Sequence, residues 1–432
     1  MKVLIITYFF PPLNSVASLR LYSFAKYLTE FGLEVTVFTT PKKVGQEFSQ
    51  VFFENNGYKV IELPIPKPFK IVSINRLVNK ISKITGIYYK NRFPDDSDRW
   101  LKPAFNYLKS YNFDVVISSY GPYVCHNIAL QLKKNGNIKR WVADFRDLFV
   151  DSPIYTGIPF FFFIEKKMEK DFLDNSDIIT VVSQSMKKVL SKKTGTPIEV
   201  VYNGFFNENY EFIQKKDFSI DLDPNILKIL FDKNILKIVY TGTVYESRKL
   251  DNLLVAIKDL KNEGVLSGNN FRFILAGAYN VIEKIKKYNL EELYIYLGLL
   301  DFKSSLKLQY LSDILLLPLE EINEKKLKGD IDKYKGILTG KIFEYLGLNL
   351  YKLTPIWVIN KSVDDEKIEI LNSSGVSTIF FDDVDKIKKY LIKALNERES
   401  FLNQYKVNRD YIIQFDRKEQ AKKMYEIITN LK

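Results

Sequence analysis

Two reactive side chains are scarce in this chain: there is one cysteine, Cys125, and one histidine, His126, among 432 residues. A single cysteine excludes an intramolecular disulfide and a cysteine-based zinc site, and it suits a reducing compartment. A single histidine excludes a multi-histidine metal centre and any mechanism that needs several histidine bases. No apolar run approaches the roughly 20 residues that a membrane-spanning helix requires. The opening KVLIITYFF lacks the charged start, apolar run and small-residue cleavage site of a secretory signal, so a cytoplasmic protein is expected. There is no GxGxxG fingerprint, which leaves a dinucleotide cofactor unsupported. Short repeats and low-complexity tracts are also missing.

What is present is a globular composition with a basic balance. Hydrophobic residues make up 46% and charged residues 27%, and the length is too great for one ordinary core, so two domains are expected. The excess of 64 Lys+Arg over 52 Asp+Glu gives a net charge of +12, which calls for an anionic partner. Nucleotide phosphates, a lipid surface and nucleic acid all qualify by charge. The basic residues fall into no recognised nucleic-acid module, so nucleic acid is not expected as a partner.

Apolar strands alternate with helical spacing through most of the chain. Val3–Tyr8 reads as a strand, Leu19–Phe31 as a helix ended by Gly32, and Val35–Thr39 as the next strand. This βαβ opening puts the loop Pro11–Ser18, with Asn14 and Ser15, at the carboxyl end of the first strand, where open α/β sheets bind ligands. Further strands at Asp114–Ser119, Trp141–Phe145, Ile178–Ser183 and Ile198–Tyr202 complete a doubly wound first domain. Asp144, Arg146 and Asp147 lie at one of these strand ends, as site residues or as a mutual ion pair. His126 reads as a helix-start residue rather than a base. From Phe205 to Asn234 the pattern lapses, as in a linker, and a second β/α series then runs from Ile238 onward.

The second series is organised around Asp313–Gly347. Leu315, Leu316, Leu317 and Leu319 form a buried parallel strand, followed by a Lys-rich loop and a helix that carries Lys341, Glu344 and Tyr345. Thr339 can cap that helix, leaving first-turn N–H groups suited to an anionic group. Glu344, one turn in, can accept hydrogen bonds from a sugar's hydroxyls. A plain amphipathic helix with Glu344 solvated is the alternative.

Two stretches stand apart. Residues 67–93 hold seven basic and no acidic residues among aromatic and aliphatic ones, reading either as a membrane-surface element on an anionic bilayer or as a domain helix with a solvated Lys edge. The run Phe160–Phe163 either dips into lipid or packs under the helix that follows.

Together the segments KVLIITYFFPP with Arg20, FPDDSDRW, WVADFRDLF, DIITVVSQSM, VVYNG, VYTGTVYESRK and GILTGKIFEYLG resemble the family 4 glycosyltransferases of the GT-B fold, in particular their bacterial surface-polysaccharide branch. The resemblance covers nearly the whole chain. It implies an α/β architecture of two Rossmann-like doubly wound domains facing a central cleft. An acceptor domain would span 1–205 with a crossover helix at about 410–432, a linker 206–234, and a nucleotide-sugar domain 235–409.

By resemblance, Lys249 contacts the donor diphosphate and Glu344, the second glutamate of an EX7E pattern, takes the ribose. Gly242, Thr243, Arg248, Asn203, Thr339, Gly340 and Lys341 complete the donor site. Asn14, Ser15, Arg20, Asp144, Arg146 and Asp147 line the acceptor side, with Lys249, Glu344, Arg146 and Asp144 as the catalytic set. The implied reaction retains anomeric configuration and needs no cofactor and no metal, because Lys249 and a helix start neutralise the departing diphosphate. Its partners are a nucleotide-sugar donor and a glycan or lipid-linked acceptor, with the protein at the inner face of the membrane. Three positions depart from the family: Thr243 replaces an arginine, Gly336 replaces the first EX7E glutamate, and the first loop, NSVAS, lacks a glycine pair. They motivate an alternative, a non-catalytic GT-B accessory subunit of another transferase. A nucleotide-sugar epimerase is disfavoured because its several acid/base groups cannot be placed.

Overall fold

The computed structural model describes residues 1–42, 57–66, 92–153, 157–244, 249–320, 335–359 and 365–431. Residues 67–91, Arg248 and residues 321–334 of the Lys-rich loop, which are part of the expectations above, lie outside the described residues.

The chain divides into two units. The first comprises Met1–Asn203, Asp330–Leu338 and Arg417–Lys432, and the second comprises Gly204–Gly329 and Thr339–Asp416. The first unit is built on a parallel sheet whose strands are β1 (Lys2–Ile6), β2 (Glu34–Thr39), β3 (Lys59–Glu62), β4 (Phe113–Ser119), β5 (Ile138–Phe145), β6 (Ile178–Val181) and β7 (Ile198–Val200). They lie in the order β3-β2-β1-β4-β5-β6-β7. The order reverses between β1 and β4, which pair in register from Val3 with Val115 to Ile6 with Ser118. Val3, Leu4, Ile5 and Ile6 are fully buried, as expected for a strand covered on both faces.

Four differences from the expected elements have local causes. The first helix runs Val16–Glu30, starting three residues earlier than its apolar spacing predicts, because Ser15 caps it by accepting from the Ser18 N–H at 3.1 Å. The edge strand β3 was not expected: at four residues, mostly exposed, it has too little apolar alternation to read as a strand. The stretch 206–234 is folded and belongs to the second unit. It contains the helix Pro224–Phe231, and its Tyr210, 1% exposed, donates to the Glu344 carbonyl at 2.6 Å. The crossover helix expected at about 410–432 is two helices, Arg409–Ile413 in the second unit and Arg417–Asn430 in the first.

The second unit's strands are β8 (Leu236–Thr241), β9 (Phe271–Ala276), β10 (Tyr294–Tyr296), β11 (Ile314–Pro318), β12 (Ile356–Ile359) and β13 (Ser377–Phe381). Their order, β10-β9-β8-β11-β12-β13, is again parallel and reverses between β8 and β11. The core gathers Ile238, Tyr240, Phe273, Leu316 and Trp357 from the strands with Leu253, Leu254 and Ile257 from the helix Asp251–Asn262. In each sheet the reversal point is where the two neighbouring loops diverge and leave room for a ligand.

Candidate functional site

In the second unit the strand end at Thr241 is followed at once by Gly242, whose φ of +152° favours glycine. A side chain there would also press on the Tyr240 ring, with its Cβ 3.0 Å from the Tyr240 hydroxyl and 3.6 Å from Lys341 Cε. Gly242 donates to the Ala276 carbonyl at 2.8 Å. Its own carbonyl runs so close to Gly277 that a Cβ on Gly277 would lie 2.0 Å from it. Tight backbone contact thus fixes the turn after β8 against the end of β9. Tyr240 steadies the next residue by donating to the Thr243 carbonyl at 3.1 Å.

Onto this turn the helix Gly340–Asn349 brings Glu344 and Lys341. Lys341 Nζ donates to Glu344 Oε1 at 2.6 Å. The same Oε1 accepts from the Gln309 amide, which also donates to Thr241 Oγ1 at 2.7 Å. Glu344 is thus neither solvated nor a bare carboxylate: two donors grip one oxygen, and Oε2 accepts no hydrogen bond among the described residues. Gln309, fully buried in the helix Phe302–Leu311, was not among the expected site residues. Nothing in the text LKLQYLSD marks it, since a buried glutamine has no periodic or charge signature. Thr339 does occupy the N-cap position of its helix, but its side chain makes no capping bond, contrary to expectation. The first-turn N–H groups of Gly340–Asn349 are therefore not covered by that hydroxyl. Lys249 is exposed, two residues before the helix Asp251–Asn262.

The first unit holds the residues expected on the acceptor side. Here the structure separates two roles. Asp144 is fully buried and takes four hydrogen bonds: from Arg20 Nη2 at 2.7 Å and Thr180 Oγ1 at 2.8 Å on Oδ1, and from Arg20 Nε at 3.2 Å and Ser119 Oγ at 3.0 Å on Oδ2. Arg20, also buried, spends its remaining nitrogen on the Val201 and Tyr202 carbonyls at 2.8 and 3.0 Å. Neither is placed to touch an acceptor directly; together they brace the carboxyl ends of β4, β5 and β6. Burial alone would raise the Asp144 pKa, but the Arg20 charge and the hydrogen bonds hold it below the ordinary carboxylate value.

Arg146 is not paired with Asp144. Its Nε donates to Ser119 Oγ at 3.2 Å, its Nη2 to the Gly121 carbonyl at 3.1 Å, and its guanidinium lies 5.3 Å from the Phe9 ring centroid. It spans the loops after β1 and β4, at the reversal point of the first sheet, and remains half-buried, as does Asp147. Ser119 links the two sets, touching both Asp144 and Arg146. Ser15 is occupied as a helix cap. Asn203 is buried, and its Oδ1 accepts no hydrogen bond among the described residues.

One basic group escaped the sequence reading. Lys42, just past β2, lies 4.4 Å from the Tyr8 ring centroid, and burial lowers its pKa to about 8. His126 is no base: it is wholly buried, its Nδ1 is 2.7 Å from Ser118 Oγ, and burial lowers its pKa to about 3. Cys125 beside it is buried, with its thiol raised to about 12 chiefly by that burial.

Set beside solved structures, the whole chain aligns. Sucrose-phosphate synthase (tll1590) from Thermosynechococcus elongatus matches with a TM-score of 0.65 at 13% identity, over 100% of this chain and 98% of its own. The Escherichia coli structure titled "Trehalose-6-phosphate from E. coli bound with UDP-2-fluoro glucose" gives 0.59 at 13% identity, over 100% and 99%. WaaG, a glycosyltransferase involved in lipopolysaccharide biosynthesis, gives 0.51 at 12% identity, over 99% and 100%. The fold is that of the GT-B glycosyltransferases. Residues 17–206 match the family model described as Glycosyltransferase Family 4. No curated protein matches it.

Proposed function

We propose that the second unit binds a nucleotide-sugar and that the enzyme moves its sugar, with retention, to a glycan or lipid-linked acceptor during assembly of a bacterial surface polysaccharide. The carrying observation is Glu344, held by Lys341 and Gln309 on one oxygen beside the Gly242 turn. Its second oxygen is suited to a hydroxyl of the nucleotide's ribose. Lys249 and the first-turn N–H groups of Gly340–Asn349 would take the diphosphate, with Gly242, Thr243, Arg248, Thr339 and Gly340 completing the donor contacts. Stabilising negative charge on the departing phosphate lowers the barrier most when the cation and dipoles are already in place. The reading assigns no cofactor and no metal ion.

Arg146 is the acceptor-side cation, with Asn14 and Asp147 nearby in sequence-derived expectation. Asp144 and Arg20 act by positioning it through Ser119. The lipid-linked acceptor would put the protein at the inner face of the membrane.

The test is calorimetry against UDP-, GDP-, ADP- and dTDP-sugars, followed by assay of nucleotide release with and without lipid-linked acceptor. Binding of one donor and acceptor-dependent release support the reading. If no donor binds, or if the protein instead copurifies with a transferase that it stimulates, the reading fails.

A further inference from the structure

The run Phe160–Phe163 splits in two. Phe161 packs edge-on against Phe93 at 5.3 Å, and Phe162 packs against the first unit's core. Phe160 and Phe163 point outward, 84% and 81% exposed, and Ile164 beside them is 43% exposed. Full exposure of two phenylalanines at one place is costly in water and marks an interaction surface.

This apex is held from behind. Arg92, read from sequence as part of the basic surface stretch, is in fact buried and belongs to the support. Its Nε and Nη2 donate to the two oxygens of Glu165 at 2.8 and 2.6 Å, and Glu165 also accepts the Phe93 N–H at 2.9 Å. Glu165 and Glu169 are both buried, the latter taking the Val150 N–H at 3.0 Å and an ion pair with Lys193. The two acids in the first two turns of the helix Phe162–Asn175 are therefore turned inward and neutralised. What that end of the helix shows to solvent is Phe160, Phe163, Ile164, Lys166, Lys167 and Lys170. Lys170 reaches Asp174 at the far end of the patch, at 2.8 Å.

We infer that this apex is a lipid-docking wedge: Phe160, Phe163 and Ile164 enter the interface of an anionic bilayer while Lys166 and Lys167 meet its headgroups. Aromatic side chains favour that depth, and flanking lysines gain from the negative surface potential. A second copy of the chain is the poorer occupant, because a two-fold contact through this patch would bring the same lysines together. The surface deepens the lipid-linked-acceptor reading and rests on it for its purpose, but its binding needs no substrate.

The test uses the full chain with vesicles of neutral lipid alone or with an added anionic lipid. Wild type should sediment with anionic vesicles and several-fold less with neutral ones. The double variant Phe160→Ser/Phe163→Ser should lose binding by about tenfold or more, as expected for removing two buried aromatic rings. Both positions are exposed, so its thermal melt should match wild type. Trp100, Trp141 and Trp357 are fully buried, so in Phe163→Trp a blue shift on adding anionic vesicles reports the new ring entering lipid. Unchanged sedimentation of the double variant, equal sedimentation with both vesicles, or no blue shift overturns the inference. So does a concentration-dependent dimer that the double variant abolishes without any vesicle binding. Calorimetry with donor on the same samples reports separately on the nucleotide-sugar reading.

Discussion

Gln309 places its amide on Oε1 of Glu344, the oxygen that Lys341 also holds. The amide must face this way, since its carbonyl would repel the carboxylate. Its own Oε1 is left buried with no partner among the described residues, a cost of about 1–3 kcal/mol that a structural glutamine has little reason to bear. On the proposed donor reading, Gln309 is a positioning residue that aims Glu344. Gln309→Leu should weaken donor binding by about tenfold and reduce the preference for a nucleoside diphosphate over its 2′,3′-dideoxy analogue. Calorimetric Kd values for the two ligands check it; an unchanged ratio rejects the role.

Residues proposed to touch the donor should cost more. Losing a charge-assisted contact typically costs about 1.5–3 kcal/mol, so Lys249→Ala and Glu344→Ala should each weaken donor binding by about ten- to a hundred-fold. Lys249 is exposed, so its truncation removes no buried surface. Titration of both variants with the preferred donor decides this, and wild-type affinity in both would move the donor site elsewhere.

Arg20 and Asp144 should contribute to the loss of stability of the first unit in acid. Removing one partner from a fully buried pair costs about 3–5 kcal/mol, so Arg20→Met should lower stability severely. The folded pKa of Asp144 is held below its unfolded value. The stabilisation is therefore present above about pH 4, the unfolded value, and is lost as pH falls through the folded one. Denaturant melts from pH 7 to pH 2 should show a steeper acid loss in wild type than in Arg20→Met. Equal slopes would remove Asp144 from the acid transition.

His126 acts in the opposite sense to a catalytic histidine. Its folded pKa of about 3 is below the unfolded value of about 6.5, so the unfolded chain binds the extra proton and stability declines as pH drops from about 6.5 toward 3. As the chain has one histidine, its imidazole gives one set of NMR signals. These should not titrate between pH 8 and 5, and the rate profile should carry no inflection from this group.

How much of this was legible in the sequence follows from which forces leave a periodic trace. Runs such as Val3–Ile6 and Ile314–Pro318 announce parallel strands because both faces are buried. The helix that carries Lys341 and Glu344 was readable from the GKIFEYLG segment. Gln309 was not, because its importance lies in a contact between residues 35 positions apart. The stretch 206–234 looked like a linker because it joins the second unit through isolated anchors such as Tyr210, Ile220 and Leu230 rather than a repeating face. Arg92 read as surface charge because its partner, Glu165, is 73 residues away.

Gly336 stands where the resemblance places the first glutamate of the EX7E pattern. Gly336 adopts φ +82°, and a Cβ there would lie 2.2 Å from Ser183 Oγ and 3.0 Å from Ser185 Cβ. Ser183 Oγ is not free to turn away without loss, since it caps the helix Gln184–Ser191 by accepting from the Met186 N–H at 3.2 Å. Any side chain at 336 therefore meets two costs, about 1–2 kcal/mol for the left-handed backbone and about 1 kcal/mol for the disturbed cap. Gly336→Glu, although it supplies the glutamate that the resemblance implies, should destabilise the first unit by about 2–3 kcal/mol and leave donor affinity no better than wild type. Gly336→Ala should show most of the same loss, because the Cβ alone makes the clash. In a Ser183→Ala background the added cost of Gly336→Ala should shrink to the backbone part, giving a coupling of roughly 0.5–1 kcal/mol in a double-mutant cycle. Chemical denaturation of the four proteins in that cycle, with calorimetry on Gly336→Glu, checks both halves. A glutamate variant as stable as wild type and tighter for donor would show that the loop accepts the family's arrangement after all.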